Sequence, residues 1–204
     1  MVAEAREDLM AYCTAAEVLQ RMGHAGATSP DLTTKIVDAI SAAQTAIDGD
    51  TSRTFEPSTR TIYFGSDGSN VLDVPDLVSV TTIKVDDDDD GVYETTIAAT
   101  DYELDTYRTT QAGWPFEQVR LLERCWPSIG KRRRRIEIVG SWGWSAVPAP
   151  INQAATLLAL RIAQRPSAAL FGVQSFGEIG ASYIRNQDPD YVRLISQYVK
   201  PQIA

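Results

Sequence analysis

Along this chain the spacing of apolar residues changes twice, and each change marks a change of structure. Near the start Thr14 is followed three residues later by Glu17, a capping box in which each side chain satisfies the other residue's free N–H. It predicts a short helix, "AAEVLQRM", that stops at Gly23. After a "GHAGATS" loop, Ser29-Pro30-Asp31 starts a second helix. Serine caps, proline tolerates the first turn, and aspartate suits the positive end of the helix dipole. Leu32, Ile36, Ile40, Ala43 and Ile47 form its apolar stripe; Thr34, Lys35, Asp38, Ser41 and Asp48 form its polar face. Gly49 is its expected end, with a further turn through "DTSRTF" as the alternative.

From about Thr59 the period becomes two. "TRTIYF", "NVLDV", "VSVTTIKV", "VRLLE" and "RRRIEIVGSW" are expected strands, separated by "GSDGS", "PDL" and a run of aspartates. Helix returns after "VPAP", where Ile151, Ala154, Ala155, Leu158 and Ile162 make a core-facing stripe that Pro166 closes. "SAALFGVQSFGEIGASYIRNQ" is glycine-spaced and is expected to be extended or looping, with Phe171 and Phe176 exposed. Asp188-Pro189-Asp190 then caps a last helix with Tyr191, Leu194, Ile195 and Tyr198 on one side. The fold class expected is α+β: a helical core with an inserted small antiparallel β-sheet or barrel. The expected division is 1–58 (N-terminal helices), 59–145 (β insertion), 146–166 (core helix) and 167–204 (extended segment and C-terminal helix, partner-binding).

Composition narrows the class. With 204 residues the chain can bury a core without staples, and its two cysteines, Cys13 and Cys125, are too few for a disulfide framework. The opening "MVAEAREDLM" lacks the apolar centre of a signal peptide, and the longest apolar run, "AATLLAL", is far short of a membrane span. An intracellular protein with reduced thiols is the expectation. Nineteen basic against 27 acidic residues leave a charge of −8, which disfavours gripping nucleic acid through bulk charge.

Two charge runs are the candidate chemistry. In "KVDDDDDGVYE", Asp86, Asp88 and Asp90 before Gly91 match the first half of a calcium loop. The twelfth position, where a bidentate glutamate belongs, is Ile97, and the run lies between strands rather than helices. An Asp-Gly between alternating strands predicts a hairpin turn, with calcium at its tip as the alternative. "KRRRRIEI" follows Gly130 into a strand, so alternation sends Arg132 and Arg134 to one face and Lys131, Arg133 and Arg135 to the other. That splits the patch and has no interleaved aromatic for base stacking. A solvated or subunit-contacting edge is expected, with Arg132, Arg133, Arg134 and Arg135 as contact candidates. Pairing between Arg and Asp tips of adjacent copies is a further idea.

Catalytic constellations are missing from the sequence. His24 is the sole histidine, nothing brings Cys13 to it, and there is no P-loop, dinucleotide fingerprint, zinc spacing or nucleophile elbow. The chain is therefore not expected to be an enzyme, to carry a cofactor or to hold a catalytic metal. Cys13 is expected to be a buried small residue. Trp126, Trp142 and Trp144 are expected to plug a seam between sheet and helix.

The series "IEIVGSWGWSAVPAPINQAATLLALRIAQR" resembles the head-to-tail adaptor (head–tail connector) proteins of long-tailed bacteriophages. Three features agree: the helix "LTTKIVDAISAAQTAIDGDTSRTF" with Arg53 and Phe55 at its end; "TIYF" and "VLDVP" leading to "LVSVTTIKVDDDDDGVYE" and "TDYELD"; and "FGVQSFGEIGASYIRN" before a short helix ending in "SQYVKP". Together they span nearly the whole chain. The pure Asp and Arg runs depart from the family pattern.

The resemblance implies a structural protein of the virion neck, made in the host bacterial cytoplasm. It would form a homo-oligomeric ring of twelve, with the portal protein above, a stopper or tail-joining protein below, DNA through the lumen, and no membrane. By position it assigns the portal contact to residues 171–186 and the last helix, hence to Phe171, Phe176, Tyr183, Tyr191, Leu194, Ile195 and Tyr198. On that basis, removing Ser182 to Ala204 should leave a folded protein that no longer joins the portal. Two readings of other classes remain: a calcium-assisted β-sheet binding module built on the Asp86–Gly91 loop, and a small hydrolase using Cys13 or a serine.

Overall fold

The computed structural model describes residues 11–23, 29–106, 113–164 and 188–200, and the backbone of two short strands, 173–176 and 180–183. The chain divides into two units: residues 1–53 with 147–204, and residues 54–146.

The first unit is helical: α1 (Ala15–Arg21), α2 (Pro30–Thr51), α3 (Ala149–Gln164) and α4 (Pro189–Ile195), the last continued by a 3-10 turn, Ser196–Tyr198. The capping box forms as expected: Glu17 N–H donates to Thr14 Oγ1 at 3.2 Å, and Thr14 N–H donates to Glu17 Oε2 at 2.7 Å. Ser29 caps α2. That helix runs through Gly49 to Thr51 and ends only at Ser52, which adopts the left-handed conformation at φ 53°. A single glycine costs a helix interior about 1 kcal/mol, which buried Ile47 and Thr51 on either side of Gly49 offset by packing. Ile36, Ile40, Ala43 and Ile47 are buried as the stripe predicts, and Leu32 is half-buried. Helix α3 touches each of the other three helices. Its buried face is Ile151, Ala154, Ala155, Thr156 and Ala159, so small residues make the close contacts while Leu158 and Ile162 stay half-buried. Cys13 is buried beside this core, as expected of a small residue.

The second unit is an antiparallel sheet of six strands. They are β1 (Ser58–Phe64), β2 (Val71–Val85), β3 (Thr95–Thr96), β4 (Tyr102–Asp105), β5 (Phe116–Leu121) and β6 (Ile136–Trp142), in the order β1-β6-β2-β5-β4 with β3 on β2. The sheet is open rather than a closed barrel, with β1 and β4 at its edges. "NVLDV" and "VSVTTIKV" are not two strands separated by a "PDL" turn: β2 is continuous through Pro75. Its first half pairs with β5 and its second with β6, and the register shifts between Asp73 and Leu77. Proline is tolerated there because a bulge leaves its missing N–H without a ladder partner. Asp76, buried in the same bulge, accepts from the Trp144 indole at 3.1 Å, and its carbonyl accepts from Gly143 N at 2.7 Å.

Both halves of the sheet feed one core of Leu72, Val74, Leu77, Ile83, Val85, Ile97, Val119, Leu121, Trp126, Ile136, Ile138 and Trp142. Trp126 and Trp142 therefore fill the sheet's own core, not a seam with a helix. Trp144 packs on Phe55 (5.2 Å between centroids) and Trp114 (4.8 Å), all within this unit. Tryptophan spacing alone marks burial without saying which partner provides it.

Candidate assembly surfaces

The two charge runs meet in the same molecule. Residues 86–94 form a wide loop between β2 and β3, whose pairing Lys84↔Thr96 makes the expected hairpin without a tight Asp-Gly turn. Asp86, fully buried, organises it: one carboxylate oxygen accepts from Asp89 N (2.6 Å) and Asp90 N (3.2 Å), the other from Gly91 N (2.9 Å). Asp88 accepts from Asp90 N at 3.2 Å, Asp90 from Val92 N at 2.7 Å, and Glu94 from Asp87 N at 3.0 Å. Carboxylates thus take the loop's backbone donors that no ladder satisfies.

The arginines do not enter a strand. β6 begins at Ile136, and residues 131–135 bend across the aspartate loop, so the two-face alternation does not apply. The Asp89 carboxylate accepts from the amides of Lys131 and Arg132. In return the Arg135 guanidinium donates to the carbonyls of Asp86 (3.0 Å), Asp87 (2.8 Å) and Ser128 (3.1 Å). Tyr93 donates to the Arg134 carbonyl at 3.0 Å, and its ring stacks on Tyr63 at 5.5 Å. Gly91, at φ +95°, lies under the Arg132 guanidinium, where a Cβ would stand 2.6 Å from Cζ. At Gly65 a Cβ would stand 2.1 Å from the Arg133 carbonyl oxygen. The two runs are thus latched together inside one chain, through Asp89 and Arg135. Arg132, Arg133 and Arg134 stay exposed, whereas Arg135 is half-buried and occupied by the latch. At Asp89 partial desolvation opposes ionisation, but the Arg132 and Lys131 amides and the Arg135 and Lys131 charges outweigh it. They hold the carboxyl below its usual value.

Carboxylate oxygens of Asp86, Asp88, Asp90 and Glu94 lie within 4.8 Å of one another. Both oxygens of Asp86 are already accepting from backbone amides, and Ile97 at the twelfth position is core. The same carboxylates therefore cap the turn's amides and stand close to one another, while the twelfth position of a calcium loop, Ile97, supplies no ligand.

The second surface is the C-terminal arm. Of the expected contact residues, Tyr191, Ile195 and Tyr198 are buried inside the helical unit, and Leu194 is half-buried. Tyr191 Oη donates to Asp50 at 2.7 Å, Arg53 Nε donates to the Tyr198 carbonyl at 2.8 Å, and Lys200 N donates to the Thr51 carbonyl at 3.0 Å. The face of α4 read as partner-binding is spent on α3 and the end of α2. Val192 on α4 and Val199, just after the 3-10 turn, are exposed. The segment between α3 and α4 carries a hairpin, β7 (Val173–Phe176) with β8 (Gly180–Tyr183), paired Val173↔Tyr183 to Phe176↔Gly180. Phe171 and the side chains of Phe176 and Tyr183 lie outside the described residues.

Sequence reasoning missed Asp89 and Arg135 as partners. The signal was available: two runs of opposite sign, each beside a strand and a glycine. What it lacked was the strand order that places β2 and β6 side by side.

No family model matches this sequence, and no curated protein does. Solved structures do share the fold. A chain in the neck of an empty gene transfer agent particle computed with C6 symmetry is 20% identical, with a TM-score of 0.59 over 95% of this chain and 92% of that one. A chain in the neck of the native particle computed with C12 symmetry is 22% identical, with a TM-score of 0.50 over 93% and 91%. A chain of the native particle's virion is 21% identical, with a TM-score of 0.52 over 95% and 92%. At such identities the likeness is one of fold, and it runs through both units of this chain.

Proposed function

We propose that this chain is a structural protein of a phage-like particle, a head-to-tail adaptor whose copies form a ring, of twelve, in the virion neck. The observation that carries the reading is the fold shared with particle-neck chains over 95% of this chain and 92% of the other. The C12 and C6 symmetries with which those necks were computed support a ring. A net charge of −8 suits a conduit that DNA traverses without adhering, and no described helix is long and apolar enough to cross a membrane.

In this reading the ring lies between the portal and a stopper or tail-joining protein, with DNA in its lumen. The arm from residue 167 onward reaches the portal. Its division of labour differs from the sequence expectation. Tyr191, Ile195 and Tyr198 anchor α4 to the helical unit, and the hairpin with Phe171, Phe176 and Tyr183 makes the contact. The alternative, a calcium-assisted module on the Asp86–Gly91 loop, has the clustered carboxylates of Asp86, Asp88, Asp90 and Glu94 in its favour but lacks a glutamate at the twelfth position, and the shared neck fold favours the first reading. Deleting the gene from the producing genome should yield filled heads and separate tails; tailed, infective or transferring particles without it would refute the reading.

A further inference from the structure

The latch fixes the backbone of the basic run and leaves four of its cations unused. Asp89 takes the amides of Lys131 and Arg132, Tyr93 donates to the Arg134 carbonyl, and Arg135 N–H donates to the Phe64 carbonyl at 3.0 Å. The side chains of Lys131, Arg132, Arg133 and Arg134 are exposed. Among the described residues none of the four donates a hydrogen bond or closes an ion pair. The neighbouring carboxylates of Asp86, Asp88, Asp89, Asp90 and Glu94 are engaged with backbone amides instead. Adjacent like charges repel one another, so a fixed row of them favours an outside partner of opposite sign.

Apolar surface stands beside these cations. Tyr63, Val92 and Ile129 are 40%, 59% and 55% exposed, and they come from β1, the aspartate loop and the β5–β6 connection. Contacts join them into one tip. The Tyr63 ring packs on Tyr93, the chain neighbour of Val92, and Tyr93 reaches the Arg134 carbonyl. Gly65 lies between Ile129 and the run: a Cβ there would stand 3.4 Å from Ile129 Cγ1 and 2.1 Å from the Arg133 carbonyl oxygen. Arginine and tyrosine around apolar side chains carry most of the energy in protein–protein contacts, and a frame fixed beforehand loses little entropy on binding. DNA phosphates would also neutralise the cations. However, exposed Asp87, Asp88, Asp90 and Glu94 share the tip and would repel a polyanion, and Val92 and Ile129 have no use against a phosphate backbone.

We propose that this tip docks on another protein of the particle, at an acidic surface set around an apolar patch. The partner's carboxylates pair with Arg132, Arg133 and Arg134, and its apolar centre covers Tyr63, Val92 and Ile129. The proposal rests on the particle reading above.

The test is photocrosslinking inside particles made by the producing genome, with benzoylphenylalanine in place of exposed Ile129 of the full chain. The expected product joins this chain to a different particle protein, at a peptide rich in Asp and Glu. The variant Arg132→Gln/Arg133→Gln/Arg134→Gln should cut that product by about tenfold. The purified variant should melt within a few degrees of the wild type, because the side chains it replaces have no partner within the chain. Crosslinks only to packaged DNA, only to a second copy of this chain, or to nothing would overturn the proposal and leave the particle reading intact. A product that the triple variant leaves undiminished would do the same. Particles that lack this chain would overturn both. If the triple variant unfolds, Arg133→Gln alone decides: the product should fall severalfold, and an unchanged yield would refute the docking surface.

Discussion

Arg135 and Asp89 do the work that the charge runs suggested for whole patches. A guanidinium is planar, holds its charge, and offers donors in a fixed fork, so one Arg135 can bridge three carbonyls from two loops. Arg135→Ala should therefore lower the stability of the β unit by about 2 kcal/mol in urea denaturation, whereas Arg133→Ala, whose side chain is exposed, should stay within about 0.5 kcal/mol. Asp89 gives this latch a pH dependence. Its folded pKa is depressed, so its contribution is present above the unfolded value, near 3.9, and is lost as pH falls through the folded value. Melting temperature should thus fall less steeply below about pH 4 in Asp89→Asn than in the wild type. The thiols make a third case. Burial, opposed by the Thr156 hydrogen bond, pushes Cys13 up to about 11, so it stays a protonated, inert thiol, while Cys125 is exposed. Alkylation of the native protein should add one label, at Cys125, and a second only on denaturation; prompt labelling of Cys13 would revive a reactive-thiol role.

At the scale of elements, helices were legible where their signals are local. The Thr14–Glu17 box, the Ser29 cap and the α2 stripe need only neighbours three or four residues away, and each forms. Elements that depend on distant partners were not legible. Pro75 suggested a turn, but the switch from β5 to β6 along β2 absorbs it in a bulge. The one-sided α4 suggested an outside partner, but an amphipathic face records only that something covers it, and here α3 and the end of α2 do. Of the candidate sites, the charge runs were found and their mutual latch was not. The expectation that residues 182–204 are dispensable for folding is revised accordingly. Removing residues 188–204 strips buried Tyr191, Ile195 and Tyr198 from the helical unit, at a few kcal/mol for each large side chain. Cooperative melting of that unit should be lost. Replacing only residues 173–183 with a glycine-serine linker should leave melting within a few degrees and abolish portal binding, since the anchoring residues remain.

For the molecule as a whole, the fold places a helical unit holding the C-terminal arm and an antiparallel sheet unit in a single chain. Neither unit brings together a nucleophile, a base and an oxyanion donor among the described residues, and its fold is shared with chains of a particle neck. Assembly is the property to measure first: the native mass of the full-length protein, alone and with the portal of the same genome. The account predicts a joint complex containing a closed ring of twelve copies of the 22.4 kDa chain. A chain that stays monomeric and indifferent to the portal would contradict it.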